Sequence, residues 1–419
     1  MKSTSGWMAR RLTCRWGVTV LIAITAQGDE MPARALRRAP DLQYDNYRRP
    51  TGPWSIHVVR VSRHSPSFQI RAVHAGGRAV GLSRLSEQSM LLDSAVATPV
   101  AAINGDFYQR DGPYAGDPRG LQIMDGELIS SPTGGASFWL DALGQPHTTN
   151  TASRFEVRWP DGTTNRIDLN GRRDSNQIVL YTPVLGPSTH TVRGRELVLE
   201  RQGNSPWLPL RPGRTYVARV RDVRDGGNTR ILPETMVLSI GPALAGSSPR
   251  VQAGAELIIS TATSPGLRGV KAAISGGPVL VRDGKRQRLK LPVEDSYEFS
   301  SMLERHPRSA IGWNGDYFFL VTVDGRQKHF SVGMTLDELA ACLVELGCQE
   351  AVNLDGGGSA TLWFDGKVQN RPCDGFERPV ANSLVVLKKK PRVFEQDGPE
   401  KRAGGPSQLT PPEPDSGNP

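Results

Sequence analysis

The run Asn353-Leu354-Asp355-Gly356-Gly357-Gly358-Ser359 lies between two apolar stretches and sets an acid and a hydroxyl on either side of three consecutive glycines. Three glycines carry a backbone entropy cost that a plain connector avoids. They let successive N–H groups converge on an anion, with Asp355 and Ser359 flanking the nest. A tight glycine turn is the alternative reading of the same residues. No Gly-Lys-Ser/Thr follows, so this is not a nucleotide P-loop, and residue 361 is Thr rather than Gly, so it is not a nucleophile elbow. A second cluster ends the apolar run at 101–103 with Asn104, Asp106, Phe107 and Tyr108. The amide and the carboxylate suit sugar hydroxyls and the rings suit a pyranose face; the plainer reading is an Asn-Gly turn. A third cluster, at 305–312, offers Arg308 as a fork for a phosphate, with His306 beside it read as structural. The 7 His residues are scattered without HxH or HExxH spacing, which disfavours a zinc or two-metal phosphodiesterase. No metal or cofactor is expected.

The elements that must position these clusters are mostly strands. Short β-rich runs recur between turn signals at 55–61, 68–73, 155–159, 178–181, 197–199, 216–223, 236–240, 256–260, 279–281, 318–323 and 351–354. Asp283-Gly284, Asp324-Gly325 and Asp365-Gly366 each stand at a strand end, where a hairpin favours Gly at positive φ. One helix is strongly written: Thr335 and Glu338 form a capping box, Leu336, Leu339, Leu343 and Leu346 share a face, and Gly347 stops it. A weaker helix runs over 85–92. The pattern predicts an α+β fold, a mostly antiparallel twisted sheet with a few packed helices and Gly-rich loops forming the site.

With 45 Gly and 32 Pro in 419 residues the chain is dense in turns, which excludes an all-helical bundle. The formal charge of +9 includes Lys2, Arg10, Arg11 and Arg15, and what remains without them is too dilute to argue for nucleic acid. Those basic residues precede an apolar run at 16–26 and the small residues of Ala26-Gln27-Gly28, the arrangement of a cleaved signal peptide over 1–28. The run is too short to span a bilayer, so secretion or a periplasmic location is expected, without stable membrane insertion. Residues 29–50 read as a linker, 51–388 as the functional domain with an inserted β subdomain at 150–230, and 389–419 as a disordered tail. Export leaves Cys342, Cys348 and Cys373, which allow one local disulfide whose pairing spacing does not decide.

In order along the chain, 101–108, 274–284, 307–312, Val323-Asp324-Gly325-Arg326, Gly333-Met334-Thr335-Leu336, 353–359 and Arg378-Pro379-Val380-Ala381-Asn382 together resemble the phosphodiester glycosidase family. The likeness is dense from about 270 to 387 and thinner over 55–200. It implies a secreted glycosidase that hydrolyses the bond between the anomeric carbon of a sugar and a phosphodiester oxygen, on envelope or exopolysaccharide material. It also implies that the Asn-Gly-x-Phe, Pro-Arg and Asp-Gly-Gly-Gly-Ser segments line the pocket. Asp106 stands where the family is often small, and Ser309 where Thr is usual. The candidate catalytic residues are Asp355, Arg308, Asp106 and Asp324. The candidate substrate-binding residues are Asn104, Phe107, Asn353, Gly356, Gly357, Gly358, Ser359, Arg326 and Asn382. The expected partner is a glycan phosphodiester. A non-catalytic binding module for anionic glycan, and a phosphoesterase cutting the phosphate ester, are the rival readings.

Overall fold

The computed structural model describes residues 40–289 and 301–390. The signal peptide expected at 1–28 and most of the tail expected at 389–419 lie outside the described residues. The linker expected at 29–50 contains a strand, Leu42–Arg49, which pairs along its whole length with Trp54–Ser62.

Three sheets meet around the centre of the molecule. The first has seven strands in the spatial order Leu42–Arg49, Trp54–Ser62, Tyr317–Val323, Arg308–Trp313, Glu350–Asn353, Val279–Arg282 and Lys285–Arg286. The second has five: Lys367–Val368, Leu362–Phe364, Ala97–Asn104, Asn382–Lys389 and Phe68–His74. The third, of twelve, takes strands from Gln122–Met124 through Ala272–Ser275, so the β subdomain expected at 150–230 is part of a larger sheet. That sheet encloses a core of its own around Phe155, Tyr216, Leu238 and Leu257.

The period-2 alternation explains the layering. Along Trp54–Ser62, Val59 and Val61 point into the core shared by the three sheets, while Ile56 and Val58 point to the opposite face. Phe318 and Leu320 divide from Phe319, Val321 and Val323 in the same way. Both faces are buried, so the strand is apolar throughout. The outer face is covered by the helix Leu336–Glu345, whose Leu336, Leu339 and Leu343 are buried. The capping box is present, with Glu338 N–H donating to Thr335 Oγ1 at 3.1 Å and Thr335 N–H donating to Glu338 Oε2 at 3.0 Å, and Gly347 adopts φ +89°.

The fold class differs from expectation. The structure is 44% strand and 8% helix, a mostly β architecture of sheets approaching a barrel and not an α+β fold with packed helices. The reason is that sheets bury one another here. The strong helix is a cover on one face, and the weaker one is six residues, Leu85–Met90. Cys342, Cys348 and Cys373 are all free thiols, the first two buried. Among the described residues no helix is long and apolar enough to cross a membrane.

Asp283-Gly284 and Asp365-Gly366 form the expected hairpins, with both residues of each pair at positive φ. Asp324-Gly325 does not. Asp324 is 1% exposed; its Oδ2 lies 2.8 Å from His57 Nε2 and its Oδ1 accepts the Arg371 N–H at 2.7 Å. It ties three distant segments together below the sheet. Asp324→Ala, which leaves His57 and the Arg371 amide without this partner, is expected to cost about 3 kcal/mol. Urea denaturation reads this directly, and a change below about 1 kcal/mol would show that Asp324 is not an anchor.

Candidate functional site

Strand ends from two sheets open on one cavity of about 310 Å³. Asn353 closes the strand Glu350–Asn353, and the turn at 355–359 follows it. Arg308 begins Arg308–Trp313, Arg326 follows Tyr317–Val323, and Phe107 and Tyr108 follow Ala97–Asn104. Arg378, Arg110, Arg119, His306 and Ser301 complete the lining.

The glycines of the turn are required by close approach. A Cβ on Gly356 would stand 2.6 Å from the carbonyl oxygen of Pro307, and one on Gly358 would strike the Arg378 guanidinium and the Asp374 carboxylate. Gly357 has φ +59°. Two of the three amides are engaged within the fold and do not converge on an anion as the sequence suggested. Gly356 N–H donates to Asp355 Oδ1 and Gly357 N–H to the Pro307 carbonyl, each at 2.9 Å. The turn holds Asp355 in place, and the positive charge around it comes from arginines.

Asp355 is the one carboxylate among the lining residues. Burial raises its pKa to about 6, against the Ser359 hydroxyl, the Gly356 amide and the fields of Arg378 and Arg119. Behind it, Asp106 is raised to about 7, chiefly by burial, although the Phe107 and Gly120 amides donate to it at 2.8 and 3.0 Å; the charge of Asp355 adds to the rise. Asp117 follows at about 8 through burial and the charges of Asp168 and Asp106. His306 is lowered by burial, then by Arg308 and Arg326. A buried carboxylate titrating near 6 inside a ring of cations is the arrangement expected of a group that exchanges or stabilises charge during a reaction.

Of the candidate residues, Asp355, Arg308, Phe107, Asn353, Gly356, Gly357, Gly358, Ser359 and Arg326 line the cavity. Asp106, Asn104, Asn382 and Asp324 do not. Asn104 is fully buried: its Nδ2 donates to the Asp355 carbonyl at 2.7 Å, and its Oδ1 accepts from Ser309 Oγ at 2.6 Å and Thr361 N–H at 3.1 Å. Asn382 Oδ1 accepts the Asp106 N–H at 2.8 Å. Asp106 joins the two ends of the excursion 107–120, which carries Tyr108, Arg110 and Arg119 to the cavity. Arg308 lines the cavity and donates to the carbonyls of Met334, Ser301 and Glu304 at 2.6–2.9 Å. Tyr108, whose ring the sequence offered for a sugar face, does line the cavity, as does His306, read from the sequence as structural; sequence reasoning missed Arg110, Arg119 and Arg378. Arg378 stands in a segment that carried the family resemblance, whereas Arg110 and Arg119 lie in a Gly/Pro-rich loop without periodicity.

Comparison with known proteins bears on this site. Residues 215–387 match the family model described as phosphodiester glycosidase. The resemblance carried by the sequence motifs is therefore shown, over the part of the chain that holds Arg308, Arg326, Asp355 and Arg378; Phe107 to Arg119 lie outside the match. The SPbeta prophage-derived uncharacterized protein YomE of Bacillus subtilis is 32% identical over 120 residues, which is 28% of this chain and 18% of that protein. A hypothetical protein from Synechocystis has the same fold at TM-score 0.66 and 22% identity, over 83% of this chain and 62% of its own. A Burkholderia pseudomallei protein aligns at TM-score 0.60 and 20% identity, over 80% and 74%. This chain thus spans less than two thirds of the curated relative and of the Synechocystis protein.

Gly356→Ala is expected to push the turn off Pro307 and displace Asp355, since a backbone carbonyl cannot move aside as a flexible side chain does. The expected outcome is a loss of at least 2 kcal/mol, on the order of other strained core insertions, seen as a lowered thermal midpoint. An unchanged midpoint would mean the turn has more room than the structure shows.

Proposed function

We propose that this protein is a hydrolase that cleaves a sugar 1-phosphodiester at the bond between the anomeric carbon and the phosphate oxygen. The observation that carries the proposal is the single cavity carboxylate, Asp355, titrating near 6 within a ring of arginines. Glycoside cleavage passes through an oxocarbenium-like state that a carboxylate stabilises, and ordinary glycosidases add a second carboxyl group to protonate the leaving oxygen. A phosphodiester departs as a stabilised anion, so guanidiniums suffice on the leaving-group side. This cavity supplies that combination. Ionised Asp355 faces the anomeric carbon. Water adds there, the C–O bond breaks towards phosphorus, and the proton from water is taken up by Asp355 or by the departing phosphate. Free sugar and a phosphate monoester result. Asn353 Oδ1, buried in the lining without a hydrogen-bond partner among the described residues, is an acceptor suited to a sugar hydroxyl. The family match supports the reaction class. The basic start of the chain followed by its apolar run supports export, where envelope or exopolysaccharide phosphodiesters would be the substrates.

The decisive assay is product analysis by mass spectrometry on a panel of sugar 1-phosphodiesters. Free sugar is expected, and a loss in Asp355→Asn of about 10³-fold in kcat, within the range for removal of one key electrostatic group. Sugar 1-phosphate as product would instead identify a phosphoesterase, and binding without product would identify a glycan-binding module. Because Asp355 acts ionised, kcat/KM should rise with pH through about 6 and then level. Arg378 favours the ionised form, so Arg378→Gln should move that limb to higher pH. A profile flat from pH 5 to 8 would exclude Asp355 as the titrating group.

A further inference from the structure

Two guanidiniums of the cavity lie against successive glycines of the turn. Arg378 packs against Gly358, and together with Arg119 its field acts on Asp355. Arg326 approaches Gly357, the next residue back, where a Cβ would stand 3.3 Å from its guanidinium. Its other neighbour is His306: Arg326 Nη2 and Nε lie 3.2 and 3.4 Å from His306 Nδ1. His306 Nε2 faces Glu304 at 3.3 Å, so Nδ1 is the acceptor and the ring is neutral. Arg326 thus rests on a neutral imidazole. Among the described residues, Arg110, Arg119 and Arg326 have no carboxylate within ion-pair distance, whereas Arg378 is held by Asp374 at 2.6 Å. Three guanidiniums without carboxylate partners in one lining exceed the single charge of a phosphodiester and that of Asp355 combined, and a site is expected to complement the charge of its ligand.

We infer that the leaving group of the substrate carries a second phosphate, held by Arg326 on its His306 platform, while Arg119 and Arg378 face the scissile phosphate beside Asp355. The substrate class is then a sugar diphosphate ester, with the two phosphates adjacent, or a short sugar-phosphate polymer, with the two phosphates separated by a sugar. The shared chemistry is two anions on one side of the anomeric bond. This inference rests on the glycosidase reading for its direction, but the anion site is tested independently of cleavage.

The full-length protein is assayed with three substrates sharing one sugar: its methyl 1-phosphodiester, its methyl 1-diphosphate ester, and a two-unit glycosyl phosphate oligomer. At least one two-phosphate substrate should show kcat/KM tenfold or more above the methyl phosphodiester, and which one it is distinguishes adjacent from separated phosphates. The ratio should fall below about twofold in Arg326→Asn; Asn is chosen because residue 326 has φ +59°, a conformation Asn tolerates. Equal kcat/KM for all three substrates overturns the inference and leaves the glycosidase reading standing. Calorimetric titration with methyl phosphate, pyrophosphate and the oligomer separates the two claims further. If nothing is cleaved but a two-phosphate probe binds at least tenfold more tightly than methyl phosphate, and Arg326→Asn abolishes the difference, the glycosidase reading fails and the two-anion site stands. No such preference in either measurement overturns the inference.

Discussion

The side-chain amide of Asn104 is the junction on which the site depends. It ends a strand of the five-stranded sheet, yet its Oδ1 accepts from Ser309, in the seven-stranded sheet, and from the Thr361 amide, while its Nδ2 donates to the carbonyl of Asp355. Next to it, Gly105 accepts the Asp355 N–H at 2.9 Å and donates to Asn382. The two sheets are therefore joined, at the point where their strands end, by polar contacts that leave no room for slippage. A fully buried amide with its acceptor doubly engaged is costly to leave unpaired, so the pairing defines one arrangement of the sheets. Asp355 is carried on that junction.

The electrostatics of the cavity follow from this placement. Burial raises Asp355, Asp106 and Asp117 alike; the charge of Asp355 adds to the rise of Asp106 and that of Asp106 to the rise of Asp117, while Arg119 and Arg378, which oppose the rise at Asp355, line the cavity. Folding such carboxylates favours their protonated forms, which costs stability as pH rises from the ordinary carboxylate range through their raised values. That cost is typical of a site whose charges are arranged for a ligand rather than for the empty fold. The positive side is built from two loops and a strand end: the excursion 107–120, pinned by Asp106, and the segments around Arg326 and Arg378.

Much of the architecture was legible locally. The runs at 178–181 and 236–240 coincide with their strands, and the capping box at Thr335 and Glu338 is present. The Asp-Gly pairs at 283 and 365 form hairpins because the strands that meet there are neighbours in sequence. Asp324-Gly325 has the same local signal and a different outcome, since His57 and Arg371 reach Asp324 from distant segments. The α+β expectation failed for a related reason. One well-written helix says nothing about how many sheets are available to bury one another, and three sheets reduced that helix to a cover.

For the site, the sequence by itself determined the turn at 353–359, its acid, and the motif order whose later part, within residues 215–387, matches the phosphodiester glycosidase model. These are short-range features, carried by residue type and spacing. Only the tertiary structure decided that Asn104, Asp106, Asn382 and Asp324 stand outside the cavity lining, that the amides of Gly356 and Gly357 are spent on Asp355 and Pro307, and that Arg110, Arg119 and Arg378 line Asp355's cavity. The physical reason is that a polar side chain at the end of a strand takes its role from whatever the other sheet brings within about 3 Å. A charge in a loop likewise takes its role from the burial and the field around it, and neither is a property of its neighbours in sequence.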